Sequence, residues 1–203
     1  MRPGTEKGAP LYGERAPGIV PVPVTSREAS PPFDVKLAFA AKAPAVLGLK
    51  RAGTVRFIGM SGTLPNLPDQ IAMGVFDVFQ IPYSAVEREH EALITAAAKA
   101  GAGIVVRGGA AKGAPTEGKH DGVQWARWQK VRLDDLLGGM TAMEFILRFT
   151  FTHPSLHTNI VGTINPAHLR HNVDVARQGP LPADVYAEAK RRLDAAGSAP
   201  RAV

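Results

Sequence analysis

The chain has 203 residues, 45% hydrophobic and 21% charged, with 17 prolines, 21 glycines, no cysteine and a formal charge of +6. That length suits one domain able to bury roughly two-thirds of its unfolded surface, and the missing cysteines exclude a disulfide framework, a zinc–thiolate site and a cysteine nucleophile. No run approaches the ~20 apolar residues of a membrane helix, and Met1–Thr5 does not open a secretory signal, so a cytoplasmic location is expected. In chain order, the first 32 residues carry seven prolines and four glycines with no apolar rhythm, which predicts a disordered Pro/Gly-rich tail at 1–32 before a domain at 33–203. Val35–Ala40 reads as a short strand and Ala43–Arg51 as a helix stopped at Gly53. Val55–Met60 reads as a buried strand leaving through Ser61-Gly62, then Leu67–Gly74 as a helix and Phe76–Ile81 as a second strand. Glu87–Ala100 reads as a helix with Glu87, Glu89 and Glu91 in its first turns and Gly101 as its stop. Gly103–Arg107 is the third strand, leaving through the small residues Gly108–Gly113. A polar loop carrying Trp125 and Trp128 is expected next, then a helix Ala142–Thr152, a strand Thr158–Val161, and helices Pro166–Arg177 and Ala183–Ala195.

Short apolar strands alternating with helices predict a parallel sheet covered by helices. An open doubly wound sheet and part of a (β/α)₈ barrel both fit that rhythm. In either, the turns after strand C-termini are where ligands sit. Gly108–Gly113 is small, follows a strand and carries Lys112, so its backbone N–H groups can approach an anion; a plain tight turn is the alternative. It matches neither a Walker loop nor the G-x-G-x-x-G fingerprint. In Gly162–Pro166, Asn165 can cap the helix that Pro166 begins. His168 and His171 stand three apart without a third ligand, so no metal site is expected. His153 and His157 flank a loop, and Asp134-Asp135 reads as a solvated helix start. The tryptophans either lid a pocket or anchor their loop. The 24 Lys and Arg are scattered among 18 acids, which argues against nucleic acid as the partner.

Several segments resemble the aldo/keto reductase family. Val55–Ser61 is similar to its "GKVRxIGxSN", Asp77–Ser84 to "DVxQxxYS", and Gly103–Gly113 to "GIxVxxRGPLAxG". Leu147–Phe149, His153-Pro154, Thr158–Asn165 and His168–Asn172 follow "LRFxLxHPxVxTxIxGxxNPxHLxxN" in order and spacing. The likeness runs from about Lys50 to Leu193. It implies a partial (β/α)₈ TIM barrel, strands five to eight with their helices, and a nicotinamide cofactor, NADPH with NADH as the alternative. By this resemblance Ser61 and Gln80 hold the nicotinamide carboxamide, with Gly62 where an asparagine is usual, and Arg107 occupies the position where many members stack a tyrosine on the nicotinamide and some carry arginine. Gly109, Ala110, Ala111, Lys112 and Gly113 match the pyrophosphate loop. Gly162, Thr163, Asn165, His168 and Asn172 match the adenosine and ribose-phosphate end, with His168 in place of a frequent arginine or glutamine.

The resemblance also implies NADPH-dependent reduction of an aldehyde or ketone. The family's Asp, Tyr, Lys and His tetrad belongs to the first half of the barrel, and that half is not found here, so no catalytic residue is assigned. If Val35–Phe39 is a remnant of strand four, Ala38 stands at the histidine position. Three functions follow: a reductase chain inactive on its own, a non-catalytic truncated relative that binds dinucleotide weakly or serves assembly, and a basic nucleic-acid-binding module. Open sheet edges lead to the expectation of a homo-oligomer.

Overall fold

Gly103–Arg107 has the β-branched, apolar composition of a strand buried on one side, and in the computed structural model of the protein it forms β3. The structure describes residues 45–113 and 122–201, all within the unit Asp34–Val203. The tail at 1–32, the strand Val35–Ala40 with Ala38, and the start of the helix Ala43–Arg51 lie outside the described residues; 45–51 are helical (α1), followed by Gly53 at φ +72°.

After α1 come β1 (Gly59–Ser61), α2 (Leu67–Ala72), β2 (Val78–Pro82), α3 (Glu91–Lys99), β3, α4 (Gly122–Lys130), α5 (Ala142–Phe151), β4 (Thr158–Ile160), α6 (Pro166–Arg177) and α7 (Ala183–Ala195). The strands form one parallel sheet in the order β1-β2-β3-β4. Strand–helix units in sequential order make this an α/β fold of the barrel type, with four strands among the described residues.

The register divides the sheet into two faces. Phe79, Ile81, Ile104 and Val106 share one face and are buried against Leu93, Ile94 and Ala97 of α3, Phe145, Ile146 and Phe149 of α5, and Leu193 of α7. Gln80, Pro82, Val105, Arg107 and Ile160 share the other, and Ile160 there is 47% exposed. Alternation along a strand of period two thus sends the functional candidates Gln80 and Arg107 away from the helix-covered core.

Three sequence expectations need correction. Val55–Met60 is not a buried strand: pairing begins only at Gly59, and Phe57 is 65% exposed. Asp77 is the reason. Its carboxylate accepts the Ile58 N–H (2.9 Å), while its own N–H donates to Ile58 O (2.8 Å), so a side chain occupies the donor a ladder bond would use. Lys50 pairs with that carboxylate at 2.6 Å, and this pairing, with the Ile58 bond, holds Asp77 below the ordinary carboxylate range.

Glu87 and Glu89 do not belong to a helix. A small antiparallel bridge between Ser84 and Glu87, with reciprocal N–H···O bonds of 3.1 Å, delays helix onset to Glu91. Trp125 and Trp128 are not in a loop but on α4. The Trp128 ring is fully buried, edge-on to Phe145 at 5.7 Å, and its indole N–H donates to Asp134 Oδ1 at 3.1 Å. Asp134 therefore anchors a core tryptophan as well as opening the short 3₁₀ turn Leu133–Leu136. The remaining elements lie within two residues of their expected ends, and α6 and α7 coincide with them.

The segment 153–157 is a loop, as read from the sequence. His153 is only 4% exposed and stands edge-on to Tyr83 at 5.0 Å, its Nδ1 accepting the Ser155 N–H at 3.1 Å. Burial lowers its pKa, against an opposing pull from Glu91. A group with a lower pKa folded than unfolded contributes stability that is complete above the unfolded value, ~6.5 for histidine, and is lost as pH falls through the folded value. Urea unfolding measured from about pH 8 to about pH 5 is therefore expected to give a free energy that declines below about pH 6.5. His153→Gln should remove part of that decline; an unchanged slope would show that another group causes it.

Candidate functional site

Strand β1 ends at Ser61, β2 passes Gln80, and the two residues are register partners. Ser61 Oγ donates to Gln80 Oε1 at 3.0 Å, and Gly62 N–H donates to Gln80 O at 3.1 Å. The glycine at 62 has a local cause. A Cβ there would lie 2.2 Å from Gln70 Oε1 and 2.9 Å from Leu67 Cδ1, so α2 fills the space that an asparagine would need.

The turn after β3 is backbone in an unusual state. Gly108 and Gly113 have φ of +73° and +77°, and Ala111 and Lys112, which carry side chains, have +47° and +55°. Non-glycine residues at positive φ are uncommon and held only where the surroundings impose them. Gly109 is buried, and Thr150 Oγ1 lies 3.0 Å from its carbonyl oxygen, with Ile146 O at 2.9 Å from the same hydroxyl. A Cβ on Gly109 would stand 2.6 Å from Asn159 Oδ1. Both polar atoms of that Asn159 amide are buried without a partner. Lys112 is exposed, so its charge is available above the turn.

The turn after β4 places the second group. Asn165 Oδ1 accepts the Ala167 N–H at 2.9 Å and caps α6, with Pro166 in its first turn; Thr163 Oγ1 accepts the Asn165 N–H at 3.1 Å. Gly162, Thr163, Asn165 and His168 are exposed and Asn172 is half-buried. The fold thus brings Ser61, Gln80 and Arg107 to neighbouring strand ends, with the turn 108–113 and the α6 N-terminus after adjacent strands. No hydrogen bond joins His168 or Asn172 to the 108–113 turn among the described residues. Within those residues, no group of three or more metal-ligating side chains lies together, and no helix is long and apolar enough to cross a membrane.

Between the loops at these strand ends lies a cavity of about 360 Å³, whose walls include Leu64, Pro82, Glu87, His90, Arg107 and Arg201. Burial, reinforced by neighbouring Glu89, raises the pKa of Glu87 against the pull of Lys112 and Arg107. Burial lowers that of His90, whose Nε2 accepts the Leu64 N–H at 3.1 Å. Sequence reasoning placed neither Glu87 nor His90 at a site. For Asn159 a signal was present: a lone amide inside the short strand TNI.

A parallel sheet whose strands each lead into a helix defines the class of βα-repeat folds, in which ligands sit at the strand C-termini. Comparison makes the class specific. The aldo/keto reductase family profile matches residues 30–193, and the chain belongs to that family. No curated protein matches it significantly. Among solved structures it is similar to the aldo-keto reductase AKR11C1 from Bacillus halodurans. The apo form aligns with TM-score 0.68 and 20% identity over 81% of this chain and 59% of that one. The holo form aligns with TM-score 0.64 and 21% identity over 73% of this chain and 54% of that one. The chain therefore spans little more than half the length of these structures.

Proposed function

We propose that residues 33–203 form the dinucleotide-holding part of an aldo/keto reductase barrel, with NADPH as the ligand and NADH as the alternative. The observation that carries this reading is the 108–113 turn, where Gly108, Ala111, Lys112 and Gly113 all have positive φ and the lysine side chain stands exposed. Successive backbone N–H groups in such a turn form a concavity suited to a pyrophosphate. The donor set around it also fits a dinucleotide. Ser61 and Gln80 offer a hydroxyl and an amide for a carboxamide, and the capped N-terminus of α6 offers N–H groups and a positive dipole end near Gly162, Thr163, His168 and Asn172. When bound, such a cofactor supplies a hydride.

The described residues supply positioning rather than acid catalysis. Reduction of a carbonyl needs a proton donor at the developing alkoxide. The tyrosines among the described residues, Tyr83 and Tyr186, point at one another with hydroxyls 3.3 Å apart, and Tyr83 is fully buried. Burial raises the pKa of both. Neither phenol is presented to a ligand at the strand ends. Titration of the purified 203-residue chain with NADPH, followed by cofactor fluorescence, is expected to saturate. The same preparation is expected to show no aldehyde-dependent NADPH oxidation. Absence of saturable binding would overturn the dinucleotide reading. Turnover that is lost in Tyr83→Phe or Tyr186→Phe would overturn the statement on acid catalysis.

A further inference from the structure

Arginines withdrawn from solvent need acceptors, because the guanidinium keeps its charge and burying it unpaired is costly. Among the described residues four such arginines have them. Arg88 pairs with Glu91 and Asp194, Arg127 donates to Val86 O, Arg148 donates to Gly179 O and Pro180 O, and Arg192 pairs with Glu188 and Asp135. Arg107 is the exception. It is partly buried, and its side chain makes no hydrogen bond or ion pair among the described residues. It lines the 360 Å³ cavity at the strand ends, where Arg201 stands as a second guanidinium without an acceptor among those residues.

The rest of the wall defines what can be accepted. His90 is 4% exposed; with Nε2 committed to the Leu64 N–H, its proton sits on Nδ1, which has no partner. Glu87 and Glu89 also line the cavity, so a multiply charged phosphate meets two carboxylates as well as two arginines. A single carboxylate suits the balance better, and its planar pair of oxygens matches the guanidinium fork. The volume lies in the range of pockets for small organic molecules.

We propose that this cavity binds a small molecule bearing one carboxylate, held by Arg107 and Arg201. Resting on the function proposed above, that molecule is a carbonyl compound held beside the dinucleotide without turnover by this chain alone, an oxo acid rather than a neutral aldehyde or ketone. Arg201 lies outside the residues assigned to the dinucleotide, which lets the two readings be tested apart.

The probes are 2-oxopentanoate and its uncharged counterpart 2-pentanone, followed by ligand-observed NMR on the full chain. Saturable binding of the oxo acid and none of the ketone is expected. Arg201→Met should weaken the oxo acid by about tenfold or more, the scale of one lost charge-assisted contact, and leave the NADPH titration where it was. Arg107→Met should lose oxo-acid binding as well, with circular dichroism confirming its fold. If that variant does not fold, the exposed Arg201 variant carries the test. Equal binding of ketone and oxo acid, or NADPH binding with no oxo-acid binding, overturns the proposal. Oxo-acid binding without NADPH binding upholds the carboxylate site and overturns the dinucleotide reading instead.

Discussion

Gly109→Val is expected to lower NADPH affinity by more than about tenfold, because a pyrophosphate needs close backbone approach that a branched side chain blocks. The geometry adds a second reason for glycine here. Even the first added carbon would stand 2.6 Å from Asn159 Oδ1 and 2.9 Å from its Cγ, so the variant also displaces a buried amide. The two causes separate in the double variant Gly109→Val with Asn159→Ala, which returns the space. If the turn serves the ligand, fluorescence titration should show affinity still reduced in the double variant. Recovery to the level of Asn159→Ala alone would mean that Gly109 is kept for packing and that the pyrophosphate assignment is wrong.

The largest loss of stability is expected from Arg88→Ala. Arg88 is 1% exposed; its Nε donates to Glu91 Oε2 at 2.6 Å and its Nη1 to Asp194 Oδ1 at 2.8 Å. Lys190 also pairs with Glu91, so α7 is tied to the start of α3 through the buried charges of Arg88 and Glu91. Removing one member of a buried pair leaves the other desolvated with less compensation, at a cost of about 3–5 kcal/mol. Guanidinium unfolding of the two proteins should show that difference at neutral pH. A difference below about 1 kcal/mol, the scale of an exposed pair, would mean that water already serves these groups.

Legibility in the sequence followed the range of the interaction involved. Gly103–Arg107 and the two terminal helices read cleanly because local composition and end signals decide them: Pro166 opens α6 behind Asn165, and Gly197 follows α7 at φ +80°. Val55–Met60 looked like strand on composition alone, and the side chain of Asp77, nineteen positions away along the chain, determined otherwise. The polar character of Gly122–Lys130 suggested a loop, yet one face of that segment carries Trp128 into the core, where Asp134 satisfies its indole. The glycine turn and strand-end positions of the candidate site were visible because they sit at fixed offsets from strands. The cavity was not, since its walls join residues near 64, 87 and 107 to Arg201 at the far end of the described chain.

The strand order β1-β2-β3-β4 bears on how the chain is made. Among the described residues each strand after β1 pairs with the one preceding it in sequence, so none of these waits for a distant segment to be synthesised. Each new strand–helix unit emerging from the ribosome finds its docking edge already present, and the sheet lengthens in one direction during translation. Contacts of short sequence separation carry a low loop-closure cost, which favours this stepwise growth. The clasp of the buried Arg88 with the half-exposed Asp194 comes last, since α7 emerges only after β1 to β4 are in place. In vectorial synthesis that ion pair is the latch that closes after the sheet has formed.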